Sequence, residues 1–210
     1  MLDILRLILH FLTGSYFLQL PDPSLKPQAM AHIIILGASF AGLSTAHRIL
    51  KEAAKKGPFK ITLVSPNTDF YWNMASTRAL VPGLMADDKV FQPIAPGFEK
   101  YPTSQFEFIL ATAESIDVEA KIVGISGATG NKTLSYDFLV IATGNRTKEY
   151  APFKHSGSTD ATKAALHDFQ ARVTKAKTIV VAGGGVTGCE AAGELAYEFP
   201  QEKKVILVSL

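Results

Sequence analysis

The sequence predicts an α/β protein made of two copies of one βαβ unit, with parallel sheets and a small antiparallel β-meander between them in the chain. Three observations carry this. A short apolar strand runs into a small-residue turn at Gly37–Gly42 and again at Gly183–Gly188, with Gly37 and Gly183 146 positions apart. Each turn leads into apolar residues at helical spacing and then a second apolar, β-branched strand, the order of a parallel crossover unit. Between the copies, Lys121–Ile125 and Lys132–Leu134 flank the turn-rich stretch Gly127–Asn131, a hairpin signature.

The elements follow in order. Ile33–Leu36 reads as a buried parallel strand, and Leu43–Lys56 as a helix with Leu43, Ala46, Ile49, Leu50 and Ala53 on one face. Gly57-Pro58 stops the helix, and Ile61–Val64 is the returning strand. Phe70–Gly97 reads as loops with short helical pieces, and Phe106–Ile109 as a strand. Phe138–Ala142 is another buried strand, ending in Thr143-Gly144. Ser158 caps a helix over Thr159–Lys175. Ile179–Ala182, the second turn, a helix over Cys189–Phe199 and a strand over Val205–Val208 repeat the pattern. The sequence stops two residues later, which predicts an architecture incomplete at its C-terminal side, because a parallel sheet needs its edge and faces covered.

Composition excludes several classes. The chain has 210 residues, 47% hydrophobic, enough for one sizeable core or two small ones. A net charge of +2 leaves no nucleic-acid footprint, and the basic cluster Lys51–Lys60 reads as a solvated face. The single cysteine, Cys189, excludes an intrachain disulfide, a CxxC redox pair and a four-cysteine zinc site. His10, His32, His47, His155 and His167 show no metal-ligand spacing, so no metal is expected.

Met1–Leu20 is apolar but carries Asp3, Arg6 and His10. Its uninterrupted part, Phe11–Leu20, is shorter than the roughly 20 residues that span a bilayer. A signal or membrane anchor, a mitochondrial presequence and a non-native upstream extension all fit. A presequence is rich in Arg and Ser, and this stretch has one of each. After the proline-rich Leu20–Gln28, Met30-Ala31-His32 looks like a second start, which favours the extension, with an anchor next. The expected division is a leader over 1–30, a first unit over 31–150, a connecting segment with its helix over 151–177, and the start of a second unit over 178–210. The expected location is cytoplasmic, with mitochondrial or peripheral membrane association through the N-terminus as alternatives.

The glycine turns carry the chemistry. A dinucleotide pyrophosphate is a double anion, and a strand that turns tightly into a helix offers it backbone amides and the positive end of the helix dipole. The first glycine of the motif permits the turn, the second lets the backbone approach the phosphates, and the third lets helix and strand pack closely. Gly183-Gly184-Gly185-Val186-Thr187-Gly188 fits in full, whereas Gly37-Ala38-Ser39-Phe40-Ala41-Gly42 has a serine in the middle. Its hydroxyl can compensate by bonding a phosphate oxygen. Either turn alone is also what an ordinary strand-to-helix turn looks like; two copies in the same setting point to two Rossmann-like nucleotide sites. The acid expected at the end of the second strand is missing from both, where Ser65 and Ser209 stand. Ser65 or Asn67 can bond a ribose more weakly, and Ser209 does not repel a 2′-phosphate, which leaves NADH and NADPH both open.

The order of turn, strand ending Ala142-Thr143-Gly144, and second turn resembles the pyridine-nucleotide-dependent flavin reductases of the pyridine nucleotide-disulfide oxidoreductase superfamily. Within it, Ile61–Pro66, Phe70–Arg78 and Gly183–Glu190 are similar to the apoptosis-inducing-factor-like and type II NADH dehydrogenase branch, the fungal AMID-like proteins in particular. The resemblance covers Ala31–Leu210. It implies FAD on the first turn (Gly37, Ala38, Ser39, Phe40, Ala41, Gly42) and NAD(P)H on the second, held by Gly183, Gly185, Thr187 and Gly188. It implies Ser65 near the adenosine ribose, the backbone of Ala113 near the adenine, and Thr143 and Gly144 beside the FAD. Arg78 matches a basic residue near the flavin, with a surface charge as the alternative. Glu190 matches an acid near the nicotinamide, with a dipole-stabilised first-turn acid as the alternative.

The implied activity is an FAD-dependent NAD(P)H oxidoreductase. Disulfide reductases of this fold set a cysteine pair against the flavin. This chain has no such pair, so the electrons should leave for an external small-molecule acceptor such as a quinone or dioxygen. A truncated, inactive fragment or a non-catalytic nucleotide-binding protein is the alternative. Hydride transfer between the cofactors requires no acid–base side chain, so no catalytic residue is expected.

Overall fold

The computed structural model describes residues 30–53, 57–147 and 151–209; the apolar leader and its proline-rich linker lie outside the described residues. The chain divides into two compact units, one of residues up to Pro66 with Ala95–Gly144, the other of Asn67–Ile94 with Asn145–Leu210.

The first unit is a six-stranded sheet in the order β7-β6-β5-β2-β1-β8. Its parallel part is β1 (Ala31–Leu36), β2 (Phe59–Ser65), β8 (Phe138–Ile141) and the first half of β5 (Phe106–Asp117). Ile33, Ile34, Ile35, Leu36, Ile61 and Leu63 are buried almost completely, each stabilising by about 1.5–3 kcal/mol. Helix α1 (Phe40–Glu52) buries Ala46, Ile49 and Leu50 of the face expected from spacing, with Gly42 in addition, while the expected Leu43 is half-buried. It starts three residues before the expected Leu43, because Ser39 is already its extended N-cap. His47 of this helix stacks on Phe98, and Phe98 on Phe106, at 4.2 Å and 4.0 Å between centroids.

The β-meander is present, with one extension. β5 runs to Asp117 rather than stopping near Ile109, pairing parallel to β2 up to Leu110 and antiparallel to β6 (Ile122–Gly127) from Ala111. Within the antiparallel part, a register shift falls between Ala113 and Ser115, a bulge of the kind that bends a strand. β7 (Gly130–Ser135) closes the meander on β6. Strand β8 is less buried than expected, with Ile141 64% exposed, because among the described residues β8 stands at the edge of the sheet, beside β1.

In the second unit Asn67–Ile94 groups with Asn145–Leu210, whereas the division expected from sequence places it in the first; its long-range packing leaves no periodicity. Here β3 (Asp69–Tyr71) pairs antiparallel with β4 (Phe91–Pro93), and the short helices α2 (Ser76–Ala79) and α3 (Asp87–Val90) lie between them in the chain. Tyr71, Ala79, Leu80, Val90 and Phe91 share a buried cluster with Leu166 of α4 (Thr159–Lys175) and Ala191 of α5 (Val186–Glu198). Helix α4 is thus part of this core rather than a connector. It starts where expected, with Ser158 Oγ accepting from the Ala161 amide at 3.1 Å. β9 (Thr178–Ala182) and β10 (Lys204–Val208) pair in parallel. Leu195 of α5 packs with Ile179 and Val205, while Val180, Leu207 and Val208 are exposed.

His155 gives this unit a pH dependence. Its ring meets Tyr71 edge-on at 5.6 Å and its Nε2 has no hydrogen-bond partner. Burial pushes its imidazole down to about 4, against the opposing pull of the Asp69 carboxylate. Unfolding restores a pKa near 6.5, so the unfolded chain takes up a proton first as pH falls. The stability is complete above pH 6.5 and is lost down to about pH 4, by about 2 kcal/mol after discounting partial exposure. Urea unfolding across that window should show the loss, and His155→Gln should flatten it.

Among the described residues no helix is long and apolar enough to cross a membrane. No group of three or more His, Cys, Asp or Glu among them is placed to hold a metal ion.

Candidate functional site: two glycine turns

Both turns are built the same way. The parallel register sets Leu36 beside Val64 and Ala182 beside Val208. The next amide in each case donates to the neighbouring strand, Gly37 N to Val64 O at 2.8 Å and Gly183 N to Val208 O at 2.7 Å. The chain then reverses with φ +102° at Gly37 and +117° at Gly183, a region that glycine alone enters without strain.

The third glycine brings helix and turn together. A Cβ on Gly42 would lie 1.8 Å from the Gly37 carbonyl oxygen, and one on Gly188 2.0 Å from that of Gly183. The helices begin at once, with Leu43 N donating to Ser39 O and Cys189 N to Gly185 O, both at 2.9 Å. The amides of Ala41 and Gly42, and of Val186, Thr187 and Gly188, precede those bonds and point out of the helix ends. Neither N-cap residue uses a side chain to cap them. A Cβ on Gly185 would meet nothing within 4 Å, so the space in front of the second turn is open. That space belongs to a groove of about 380 Å³ lined by Gly183, Gly185, Val186, Thr187, Gly188 and Phe153. An anion with two phosphates fits a cradle of this kind.

The two turns differ at the first glycine. A Cβ on Gly37 would lie 2.3 Å from the Ala142 carbonyl oxygen and 3.0 Å from the Thr143 amide nitrogen. One on Gly183 would meet nothing within 4 Å. The first turn is therefore seated against the end of β8, and brings Ala142, Thr143 and Gly144 to its side. Gly144 has φ +66°.

The remaining expected residues are placed as follows. Ser65 ends β2 with 2% of its surface exposed. Ala113 lies within β5 at the bulge, not after the strand. Arg78 is in the second unit, where its guanidinium pairs with Glu194 of α5 at 3.0 Å. Glu190, four residues earlier on that helix, accepts from Thr77 Oγ1 at 3.5 Å. Arg78 and Glu190 line one open groove of about 640 Å³ with Trp72, Met74, Glu194 and Tyr197. Glu194 and Tyr197 escaped the sequence reading, although their spacing of four and seven from Glu190 puts all three on one helical stripe. Cys189 Sγ donates to the Gly184 carbonyl at 3.3 Å.

The sequence pattern of the pyridine nucleotide-disulphide oxidoreductase family matches residues 31–209, both turns included. The chain belongs to this family. The oxidoreductase ptaL of Pestalotiopsis fici, a fungal relative, is 50% identical over 182 residues, 86% of this chain and 49% of that protein. Apoptosis-inducing factor homolog A of Dictyostelium discoideum is 29% identical over 175 residues, 82% of this chain and 38% of that protein. Among solved structures, the sulfide:quinone oxidoreductase of Aquifex aeolicus superposes with a TM-score of 0.61 at 26% identity, over 83% of this chain and 42% of that one. The chain thus spans about half, or less, of the length of these proteins.

Proposed function

We propose that the two units are the nucleotide-binding parts of an FAD-dependent NAD(P)H oxidoreductase that delivers electrons to an external small molecule, with a quinone favoured. The observation that carries this is the repeated turn: two cradles of one design, in a chain of this family, suit two dinucleotides. In this reading FAD lies on the first turn and the nicotinamide nucleotide on the second. When bound together, the cofactors supply hydride transfer from nicotinamide to flavin and onward electron release.

The protein's own part is binding and orientation. The amides of Ala41 and Gly42, with the uncommitted Ser39 hydroxyl, hold the FAD pyrophosphate, and Thr143 and Gly144 flank it. The amides of Val186, Thr187 and Gly188, with the Thr187 hydroxyl, hold the NAD(P)H pyrophosphate. Ser65 in the ribose role, Ala113 in the adenine role, Arg78 on the flavin side and Glu190 on the nicotinamide side belong to the same proposal. Arg78 then acts from within its ion pair with Glu194. A quinone acceptor is supported by the similarity to the sulfide:quinone oxidoreductase of Aquifex aeolicus and by the presence of a single thiol, Cys189, in the chain.

Anaerobic mixing of the FAD-loaded protein with NADH or NADPH should bleach the flavin's visible absorbance, and adding a short-chain quinone should restore it. A flavin that stays oxidised with both nucleotides contradicts the proposal. A flavin that is reduced but ignores the quinone contradicts the choice of acceptor.

A further inference from the structure

We propose that Phe153 is the wall on which the nicotinamide half of the second dinucleotide packs, and that the irregular segment Ala151–Phe153 is fastened to hold it there. The inference rests on the reading that the second turn takes NAD(P)H.

The segment belongs to no helix or strand, yet its backbone is tied at every residue. Three successive carbonyls each accept a side-chain hydrogen bond. Ala151 O accepts from Thr147 Oγ1 at 2.6 Å, Pro152 O from the Tyr71 hydroxyl, and Phe153 O from Asn73 Nδ2 at 3.1 Å. The Phe153 amide in turn donates to Ala151 O at 2.8 Å. Connecting segments ordinarily run over the surface and are mobile there. This one is pinned by side chains from three separate positions, which fixes where Phe153 stands. The residue is half-buried and packs against the core cluster that holds Tyr71, Leu166 and Ala191. What the core leaves uncovered lines the groove of the second turn, beside Ala191.

The groove also shows which half of a dinucleotide Phe153 meets. Its lining takes in Gly183, Gly185 and the amide-bearing Val186–Gly188, and runs on to Phe153 and Ala191, without Gly184 or Ser209. A Cβ on Gly184 would lie 2.6 Å from Ser209 Oγ, so that glycine faces the end of β10. In a unit of this kind the end of the second strand marks the adenosine side of the pyrophosphate. Phe153 and Ala191 stand on the other flank, where the chain of the ligand continues to the nicotinamide riboside. A planar ring there finds an aromatic partner for an offset or edge-on contact. Because the partner is held in place beforehand, little side-chain freedom is lost on binding.

The test is a pair of calorimetric titrations on the full chain with FAD added, one with NAD⁺ and one with ADP-ribose. ADP-ribose keeps the pyrophosphate and both sugars but lacks the nicotinamide, and neither ligand reduces the flavin. Phe153→Leu should weaken NAD⁺ about three- to ten-fold and leave ADP-ribose within about two-fold. Phe153→Tyr, which keeps the ring, should leave both near wild type. Unchanged ADP-ribose affinity reports an intact turn in each variant, and Phe153→Met is read in the same way should Phe153→Leu fail to fold. A loss no larger for NAD⁺ than for ADP-ribose overturns the proposal. If the wild type binds neither ligand, the reading of the second turn falls first and takes this proposal with it.

Discussion

Gly42→Ala and Gly188→Ala should each destabilise the unit that carries it by about 3 kcal/mol or more, with nucleotide binding lost at that turn. The added methyl has nowhere to go, at 1.8 Å from the Gly37 carbonyl oxygen and 2.0 Å from that of Gly183. The obstacle is backbone in both cases, so no rotamer change relieves it. Helix α1 or α5 must back away from its strand, uncovering residues such as Ile35 and Val181 that pack under the glycine. Forced overpacking costs about 1–3 kcal/mol in ordinary cores, and a backbone-to-backbone contact this short belongs at or beyond the top of that range. Domains are stable by only about 5–15 kcal/mol. Urea unfolding should show a large drop in midpoint for both variants. A drop equivalent to under about 1 kcal/mol contradicts the packing described.

Gly37→Ala and Gly183→Ala should separate, although the two glycines hold the same place in the motif. Both have strongly positive φ, so alanine is strained by about 1–3 kcal/mol at either. At Gly183 nothing else opposes the methyl. At Gly37 the methyl also meets the Ala142 carbonyl at 2.3 Å, and relieving that contact means parting β8 from β1. Gly37→Ala is therefore expected to destabilise more, by about 2 kcal/mol or more beyond the common strain. It should also loosen the protection of the Ala142 amide, which donates to Leu36 O at 2.8 Å. Equal losses in the two variants, with that amide still protected, are incompatible with the seating of the first turn on β8.

The turns were legible because they depend on local chemistry. A glycine followed by small residues between a β-branched run and a helical period has few other uses, and both turns lie where the sequence puts them. The helix starts were read three residues late, since Phe40-Ala41 and Val186-Thr187 belong to the motif and to the helix at once, and apolar spacing shows only after them. β5 outran its signal because Thr112–Asp117 is half-exposed and mixed in polarity, so pairing with β6 rather than burial makes it a strand. The placement of Asn67–Ile94 was hidden for a different reason. Its strands are three residues long, and its partners, Leu166 and Ala191, are remote in sequence. The bond between Arg78 and Glu194 was hidden with it. Gly184 reads in sequence as one more glycine of the motif; in the structure a Cβ there would lie 2.6 Å from Ser209 Oγ at the end of β10, a contact between residues remote in sequence.

The most direct test of the two-cradle account is an amide ¹H–¹⁵N spectrum of the protein titrated first with FAD and then with NADPH. FAD should shift the amides of Ala41 and Gly42 and leave those of Thr187 and Gly188 in place, and NADPH should then shift the second pair. Saturable binding of either nucleotide with both pairs unmoved, or both nucleotides shifting the same pair, would contradict it.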